Sequence, residues 1–306
     1  MTWKLVNYRR GDGAARAGIV VGDRVFDAAT LTGHAADAAV QGILDDWTGA
    51  STRIAKAAAA PSGASTALAD VALLAPVERP GAIYCAGANY TDHMAEMARV
   101  LNMPEEGDPH ERVLKPWHFL KTSRGSVVGP GAAVAIPSYA RLLDWEIELA
   151  AVIGKPCRDV SVEHALDYVA GYTIADDLSA RDHVKREGVG DHSPFKWDWI
   201  SQKCFEGACP LGPWIVPAAA IPDPQRLALK LWVGDELMQD SHTSRMIFTT
   251  AEQIAHLSTR ITLWPGDLIL TGTPAGVGMG RRRFLQRGET VRMWVESIGE
   301  LVHTIA

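Results

Sequence analysis

The sequence predicts a β-rich α+β protein, with a small N-terminal domain over residues 1–75 and a larger domain of mixed or antiparallel sheet over residues 76–306. Three observations carry this reading. Short β-branched or aromatic runs recur at residues 82–85, 133–136, 146–153, 168–174, 214–216, 228–233, 268–271 and 290–295. Gly, Pro and Asp separate these runs, the pattern of short strands joined by turns. Helical periodicity is confined mainly to residues 90–99 and 250–258, too few crossover helices for a doubly wound parallel sheet. Pro76 and Pro80 bracket a linker, after which aromatic residues and polar clusters become denser.

Ahead of that linker, residues 17–21 and 24–26 are short apolar runs with Gly and Asp turn signals between them. Residues 54–60 are Ala-rich and favour helix by propensity. A small strand-rich module with one or two helices follows.

At 306 residues the chain buries a substantial core without a disulfide or metal staple. With 47% hydrophobic and 22% charged residues it reads as an ordinary folded domain rather than a disordered or fibrous chain. A net charge of -6 argues against a wide phosphate-binding surface, so no nucleic-acid partner is expected. The dense basic run Arg281, Arg282 and Arg283 lies in a Gly-rich stretch and reads as a solvated loop, with attraction of a substrate carboxylate as its functional alternative. Cys85, Cys157, Cys204 and Cys209 are scattered without the paired short spacings of a structural zinc site. They read as buried free thiols of a reducing compartment. The first ten residues carry early charge and no apolar core, unlike a secretory signal. No run approaches the ~20 apolar residues of a membrane span. A cytoplasmic protein with no membrane partner is the expectation.

The strongest chemical signal is acidic. In Asp144-Trp145-Glu146-Ile147-Glu148, strand alternation puts Asp144, Glu146 and Glu148 on one face and Trp145 and Ile147 on the other. Alone, a Glu-X-Glu pair is commoner on a solvated strand face. A second cluster, Asp176-Asp177, closes the apolar run that begins at Tyr168. Strand ends are where sites are usually built. Like charges gathered beside apolar strands are costly unless a hard cation neutralises them. Oxygen ligands from two strands suit Mg²⁺ or Mn²⁺ better than zinc. Neighbours in an extended chain point opposite ways, so only one of Asp176 and Asp177 can serve as a direct ligand.

These segments, together with Gly87-Ala88-Asn89-Tyr90, Gln202-Lys203-Cys204-Phe205, Gln239-Asp240, Trp264-Pro265-Gly266-Asp267 and Thr271-Gly272-Thr273-Pro274-Ala275-Gly276-Val277-Gly278, resemble the fumarylacetoacetate hydrolase family. The likeness runs through nearly all of residues 81–306. It implies a mixed β-sheet roll as the catalytic domain, a small N-terminal domain and a homodimer. It implies Glu146, Glu148 and Asp177 as metal ligands, with Mg²⁺ or Mn²⁺ as cofactor.

His93 and Glu96 lie three apart on the predicted helix, where their side chains meet on one face. A lone helical His is more often a surface or capping residue, whereas a His oriented by a carboxylate can activate water. Asn89 through Glu96 matches the family's Asn-Tyr-X-X-His-X-X-Glu pattern, which implies the water-activating dyad of the hydrolases. Lys203 would by default be an ordinary exposed lysine; the resemblance implies an active-site ammonium that stabilises an enolate. Cys204 and Glu206 depart from the small residue and Asp usual around that lysine. The resemblance also implies a Thr273 contact to the substrate carboxylate, and Gln239 and Tyr90 are assigned to substrate binding. No convincing helix opens after Gly276, Gly278 and Gly280, so they do not read as a phosphate loop. His183, His192, Trp197 and Trp199 lie in the unusual segment 182–199, which reads either as pocket lining or as aromatic packing. Segments 100–115 and 183–199 are expected to shape the pocket's distal wall.

The implied reaction is hydrolytic cleavage of a carbon-carbon bond in a small 2,4-diketo acid, an acylpyruvate or fumarylpyruvate-like keto acid. Decarboxylation of an oxaloacetate-like acid and isomerisation of a 2-hydroxyhepta-2,4-diene-1,7-dioate-like acid use the same enolate. A non-catalytic ligand-binding relative is the alternative from another class.

Overall fold

The computed structural model describes residues 3–102, 104 and 107–306. Two sheets dominate. The larger runs in the order Ser65–Ala67, Arg24–Asp27, Arg16–Val21, Lys4–Arg9, Cys209–Pro217, Val169–Asp176, Ile147–Ile153, Leu268–Leu270, Ile83–Ala86 and His118–Lys121. Most of its pairs are antiparallel, but Leu268–Leu270 runs parallel to Ile83–Ala86, so the sheet is mixed. The second sheet runs Glu236–His242, Ala228–Val233, Thr290–Val295, Gly299–Ile305 and Ala133–Val134. A β-rich α+β architecture is therefore what the sequence forms.

The central strand Ile147–Ile153 is buried at every position and shows how the layers are divided. Alternation sends Ile147, Leu149, Ala151 and Ile153 into a core shared with Leu229, Leu231, Val291 and Met293 of the second sheet. Ala150 and Val152 face the other way, onto Ile43, Leu44, Trp47 and Ile54. The helix Trp47–Ala59 begins seven residues before the expected run because Trp47, Ala50, Ile54 and Ala58 form one buried stripe. The N-terminal residues add their strands to the same large sheet, where Leu5 lies opposite Ile215.

Ala228–Val233, Thr290–Val295 and the helix Thr250–Ser258 coincide with the expected segments. That helix starts at a capping box. Glu252 N–H donates to Thr249 Oγ1 at 3.2 Å, and Thr249 N–H donates to Glu252 Oε2 at 2.8 Å. Cys209–Pro217 extends well beyond the expected residues 214–216, since Pro210 and Pro213 read locally as strand breakers. Glu236–His242 and Gly299–Ile305 are strands without a strong sequence signal. Each is stabilised by cross-strand pairing, with Gln239 opposite Leu231 and Leu301 opposite Met293.

Close strand approach depends on Gly171. A Cβ there would meet the Val216 carbonyl oxygen at 2.2 Å, so any side chain pushes the pair Val169–Asp176 and Cys209–Pro217 apart. Gly171→Ala is expected to lower unfolding free energy by about 1–3 kcal/mol in a urea titration. A midpoint within error of the unsubstituted protein would show that the sheet adjusts without strain.

Candidate metal centre and active site

The carboxylates converge because two strand ends interlock. The strand Ile147–Ile153 starts just after Glu146, and Asp177 falls just past Val169–Asp176. Glu146 N–H donates to Asp176 Oδ1 at 2.8 Å, and Asp177 N–H donates to the Glu146 carbonyl at 2.9 Å. Asp176 and Asp177 therefore point opposite ways, as alternation requires. Asp176 turns toward the second sheet, where its Oδ2 lies 2.8 Å from Nε2 of buried His303. Asp177 turns into the cavity. Asp144 does not join it: its carboxylate accepts Gly278 N–H at 2.6 Å, Met279 N–H at 3.0 Å and Arg181 Nε at 2.8 Å.

Ligand-capable oxygens of Glu146, Glu148 and Asp177 all lie within 4.8 Å of one another, and all three residues are buried. Glu148 is fixed by Gly272 N–H, which donates to its Oε2 at 2.6 Å. Gly272 has φ +97, and a Cβ on it would meet Asn89 Cβ at 2.7 Å, so a glycine is what lets this amide reach Glu148. Asn89 ties the same loop down, donating to the Phe248 and Thr271 carbonyls at 2.9 and 2.8 Å.

Three cations lie against the cluster. Lys203 Nζ lies 2.7 Å from both Glu146 Oε2 and Asp177 Oδ2, Lys121 Nζ lies 2.7 Å from Asp177 Oδ1, and Arg181 pairs with Glu146 Oε1. Burial opposes ionisation of Glu146, but Arg181 and Lys203 outweigh it and hold its pKa well below the usual range. Glu148 behaves oppositely. Burial, then the charges of Asp177 and Glu146, push its pKa well above the ordinary value. Burial also works against the Lys203 ammonium, yet Asp177 and Glu146 raise its pKa overall. One carboxyl of the cluster therefore lacks a compensating charge. A buried, all-oxygen donor set in that condition fits a hard divalent cation such as Mg²⁺ or Mn²⁺.

The carboxylates line a cavity of about 130 Å³ with His93, Lys203, Arg181, Thr273 and the rings of Trp117, Phe119 and Trp199. His93 comes from the helix Thr91–Leu101, where its Nδ1 is 3.9 Å from Glu96 Oε2 and has no hydrogen-bond partner. Glu96 is itself held by Gly276 N–H at 2.9 Å. Burial opposes its charge, but His93 and that amide bring its pKa below the usual value. Thr273 Oγ1 accepts from Gln239 Nε2 at 2.9 Å, which leaves the hydroxyl hydrogen to donate into the cavity. Gln239 spends the rest of its amide on protein: its Nε2 donates to the Pro274 carbonyl at 2.8 Å and its Oε1 accepts Ile147 N–H at 3.1 Å. Tyr90 is fully buried with its hydroxyl unpaired, and burial, followed by the charges of Glu148 and Asp92, raises its pKa.

Trp199 packs against Trp117 and Phe119 at ring-centroid distances of 5.6 and 5.3 Å. A Cβ on Gly87 would meet the Trp117 ring at 2.0 Å, so that glycine seats the indole. From segment 182–199, Trp199 is thus both lining and packing, whereas His183 rests on Tyr139, 2.7 Å from its carbonyl. His192 is exposed. The arginine run is structural at two positions. Arg281 donates to the Met238 carbonyl at 2.8 Å, and Arg283 pairs with Glu289 over the Trp145 ring. Lys121 and the clamp role of Arg181 had no local sequence signal, because both depend on contacts more than thirty residues away along the chain.

A mixed β-rich fold carrying a buried acidic cation site defines a class of metal-binding proteins, and the comparisons place the chain within it. The chain belongs to the fumarylacetoacetate hydrolase family, residues 82–306 matching the family model described as fumarylacetoacetate (FAA) hydrolase C-terminal. It is 38% identical over 237 residues to the mitochondrial oxaloacetate tautomerase Fahd2a of Rattus norvegicus, covering 77% of this chain and 69% of that one. Among solved structures it resembles maleylpyruvate hydrolase from Sphingobium sp. SYK-6 in complex with manganese(II) ion and pyruvate, with TM-score 0.75 and 30% identity over 99% of this chain and 98% of that one. It also resembles 2-hydroxyhepta-2,4-diene-1,7-dioate isomerase from Mycobacterium marinum, with TM-score 0.71 and 31% identity over 100% and 98%. No helix among the described residues is long and apolar enough to cross a membrane.

Because Gly272 alone allows the amide contact to Glu148, Gly272→Ala is expected to weaken Mn²⁺ binding by at least about tenfold, the scale of losing a contact that orients a ligand. Titration calorimetry on the metal-stripped protein reads this. Unchanged affinity would mean that Glu148 needs no such support.

Proposed function

We propose that this chain is a divalent-metal-dependent enzyme that hydrolyses a carbon-carbon bond in a 2,4-diketo acid of the acylpyruvate type. The observation that carries the reading is the entry of His93, paired with Glu96, into the same small cavity as Glu146, Glu148 and Asp177. A base beside a cation site is what water attack on a chelating diketo acid requires.

Glu146, Glu148 and Asp177 hold the cation, which when bound supplies a template and Lewis acid for the 2-oxo acid end of the substrate. Thr273 donates its hydroxyl to the substrate carboxylate. His93, with the Glu96 carboxylate 3.9 Å from its Nδ1, takes a proton from the attacking water, and the resulting hydroxide adds to the distal ketone. The bond between that carbonyl carbon and the methylene then breaks. Its electron pair leaves with the pyruvate fragment as an enolate, and the other fragment departs as a carboxylic acid. Lys203 places a fixed ammonium beside the developing enolate charge. Protonation of the enolate carbon completes pyruvate, so one water is consumed for each diketo acid. Lys121 acts through Asp177 and is a positioning residue. The homodimer implied by the resemblance is part of the same reading.

A second reading is interconversion of the keto and enol forms of oxaloacetate, favoured by the 38% identity to an oxaloacetate tautomerase. It uses the same enolate stabilisation without water attack, as would decarboxylation of oxaloacetate or isomerisation of a hydroxydienedioate.

Glu146→Gln is expected to abolish metal-dependent turnover with the fold intact by circular dichroism. His93→Asn is expected to lower acylpyruvate cleavage by at least about 100-fold, the scale of a lost general base, with pyruvate affinity unchanged. Manganese-loaded protein incubated with acetylpyruvate and with oxaloacetate, followed by enol absorbance and proton NMR, separates the readings. Acetate and pyruvate from acetylpyruvate support hydrolysis. An unchanged acetylpyruvate spectrum beside rapid oxaloacetate enol decay would replace it with the tautomerase.

A further inference from the structure

Beyond His93 the metal cavity meets a second, larger one. A chamber of about 610 Å³ shares Ala88 and His93 with it, so the imidazole stands between the two. Met94, Met97, Ala98 and Leu101 occupy one stripe of the helix Thr91–Leu101 at spacings i, i+3, i+4 and i+7, and all four line the chamber. Such a stripe normally packs into a core, yet this helix has no buried residue, and Leu101 is 55% exposed. Met246 and Ile247 also line it. Methionines fit a site that takes flexible chains, because their side chains adjust shape at little cost.

Part of the lining is held in place. His110, which lines the chamber, rests on Phe248 at a ring distance of 4.8 Å, and its two ring nitrogens lie 3.1 Å from Asp108 and from Glu252. Both nitrogens are therefore occupied by carboxylates. No Lys or Arg is found among the described residues lining the chamber, and Asp108 is. A ligand bearing a second carboxylate would meet Asp108 and, among the described lining residues, no Lys or Arg, while both His110 nitrogens are already taken by carboxylates.

We propose that this chamber receives the distal group of the substrate and that this group is an uncharged, flexible alkyl chain rather than a carboxylate-terminated one. The inference rests on the keto-acid reading above and names the substrate class for the same site. The metal cavity holds the oxo-acid head, the chain passes His93, and the carbonyl that receives water lies at the boundary where the imidazole stands. Burying a chain of five or six methylenes gives a large gain in binding even when the chamber is half open.

The test measures binding separately from cleavage. Titration calorimetry on the manganese-loaded full chain compares pyruvate, 2-oxooctanoate and 2-oxooctanedioate. The octanoate is expected to bind at least about tenfold more tightly than pyruvate, and the terminal carboxylate is expected to erase that gain. Ala98→Phe, which fills the chamber away from the carboxylates, is expected to remove the gain while leaving pyruvate affinity within about twofold. Retained pyruvate binding also shows that the variant is folded. Equal affinities for the three acids, or a gain untouched by Ala98→Phe, would overturn the proposal. In parallel, kcat/KM for hexanoylpyruvate should exceed that for acetylpyruvate by at least about tenfold. If neither acylpyruvate is cleaved while the octanoate gain and its loss in Ala98→Phe persist, the hydrolytic reading falls and the alkyl chamber stands.

Discussion

Three carboxylates held out of water at one point are the constraint on which the rest of this structure depends. Removing ionised groups from water costs several kcal/mol per ion even after relaxation, and like charges at short range add to that cost. The chain offsets it in two ways. Lys203, Lys121 and Arg181 pair with Glu146 and Asp177, and the three carboxylates form an oxygen donor set suited to a hard cation. The opposite behaviour of Glu146 and Glu148 follows from this asymmetry: one carboxylate lies against the cations and the other against its like-charged neighbours.

Holding such a cluster requires a stiff frame, and the two sheets provide one. Backbone bonds tie Glu146 to Asp176 and Asp177. Asp176 is braced from the second sheet by His303, and Asp144 closes the loop at Gly278 and Met279. Every polar atom diverted to this bracing is one that does not face substrate. Gln239 illustrates this, since its amide sets the position of Thr273 and of the strand start at Ile147.

The helix Thr91–Leu101 has a different character. Its polar face brings His93 to the carboxylate cavity and Glu96 to the Gly276 amide, whereas its apolar stripe borders the larger chamber. One element thus borders both the carboxylate cavity and the larger chamber.

Much of this was legible in the amino-acid order. Alternation at Glu146 to Leu149 and at Asp176-Asp177 is local, so it reveals which acidic groups share a direction, and helical spacing pairs His93 with Glu96 before any fold is known. The strands 228–233 and 290–295 were equally plain because their hydrophobic period is two. What no local pattern contains is the partner on the far side of a contact. Lys121 reaches Asp177 across 56 positions and His303 reaches Asp176 across 127, and neither carries a local signal; Gln239, assigned to substrate binding, instead reaches Thr273 across 34. Pro210 and Pro213 concealed a strand for the same reason, since pairing with neighbours, rather than propensity, holds it in the sheet. The sequence by itself therefore determined which acidic groups share a direction and that His93 and Glu96 share a helix face. The tertiary structure decided which cations meet those donors, and that Met94, Met97, Ala98 and Leu101 border a cavity instead of a core, because burial is a property of three-dimensional packing and not of period.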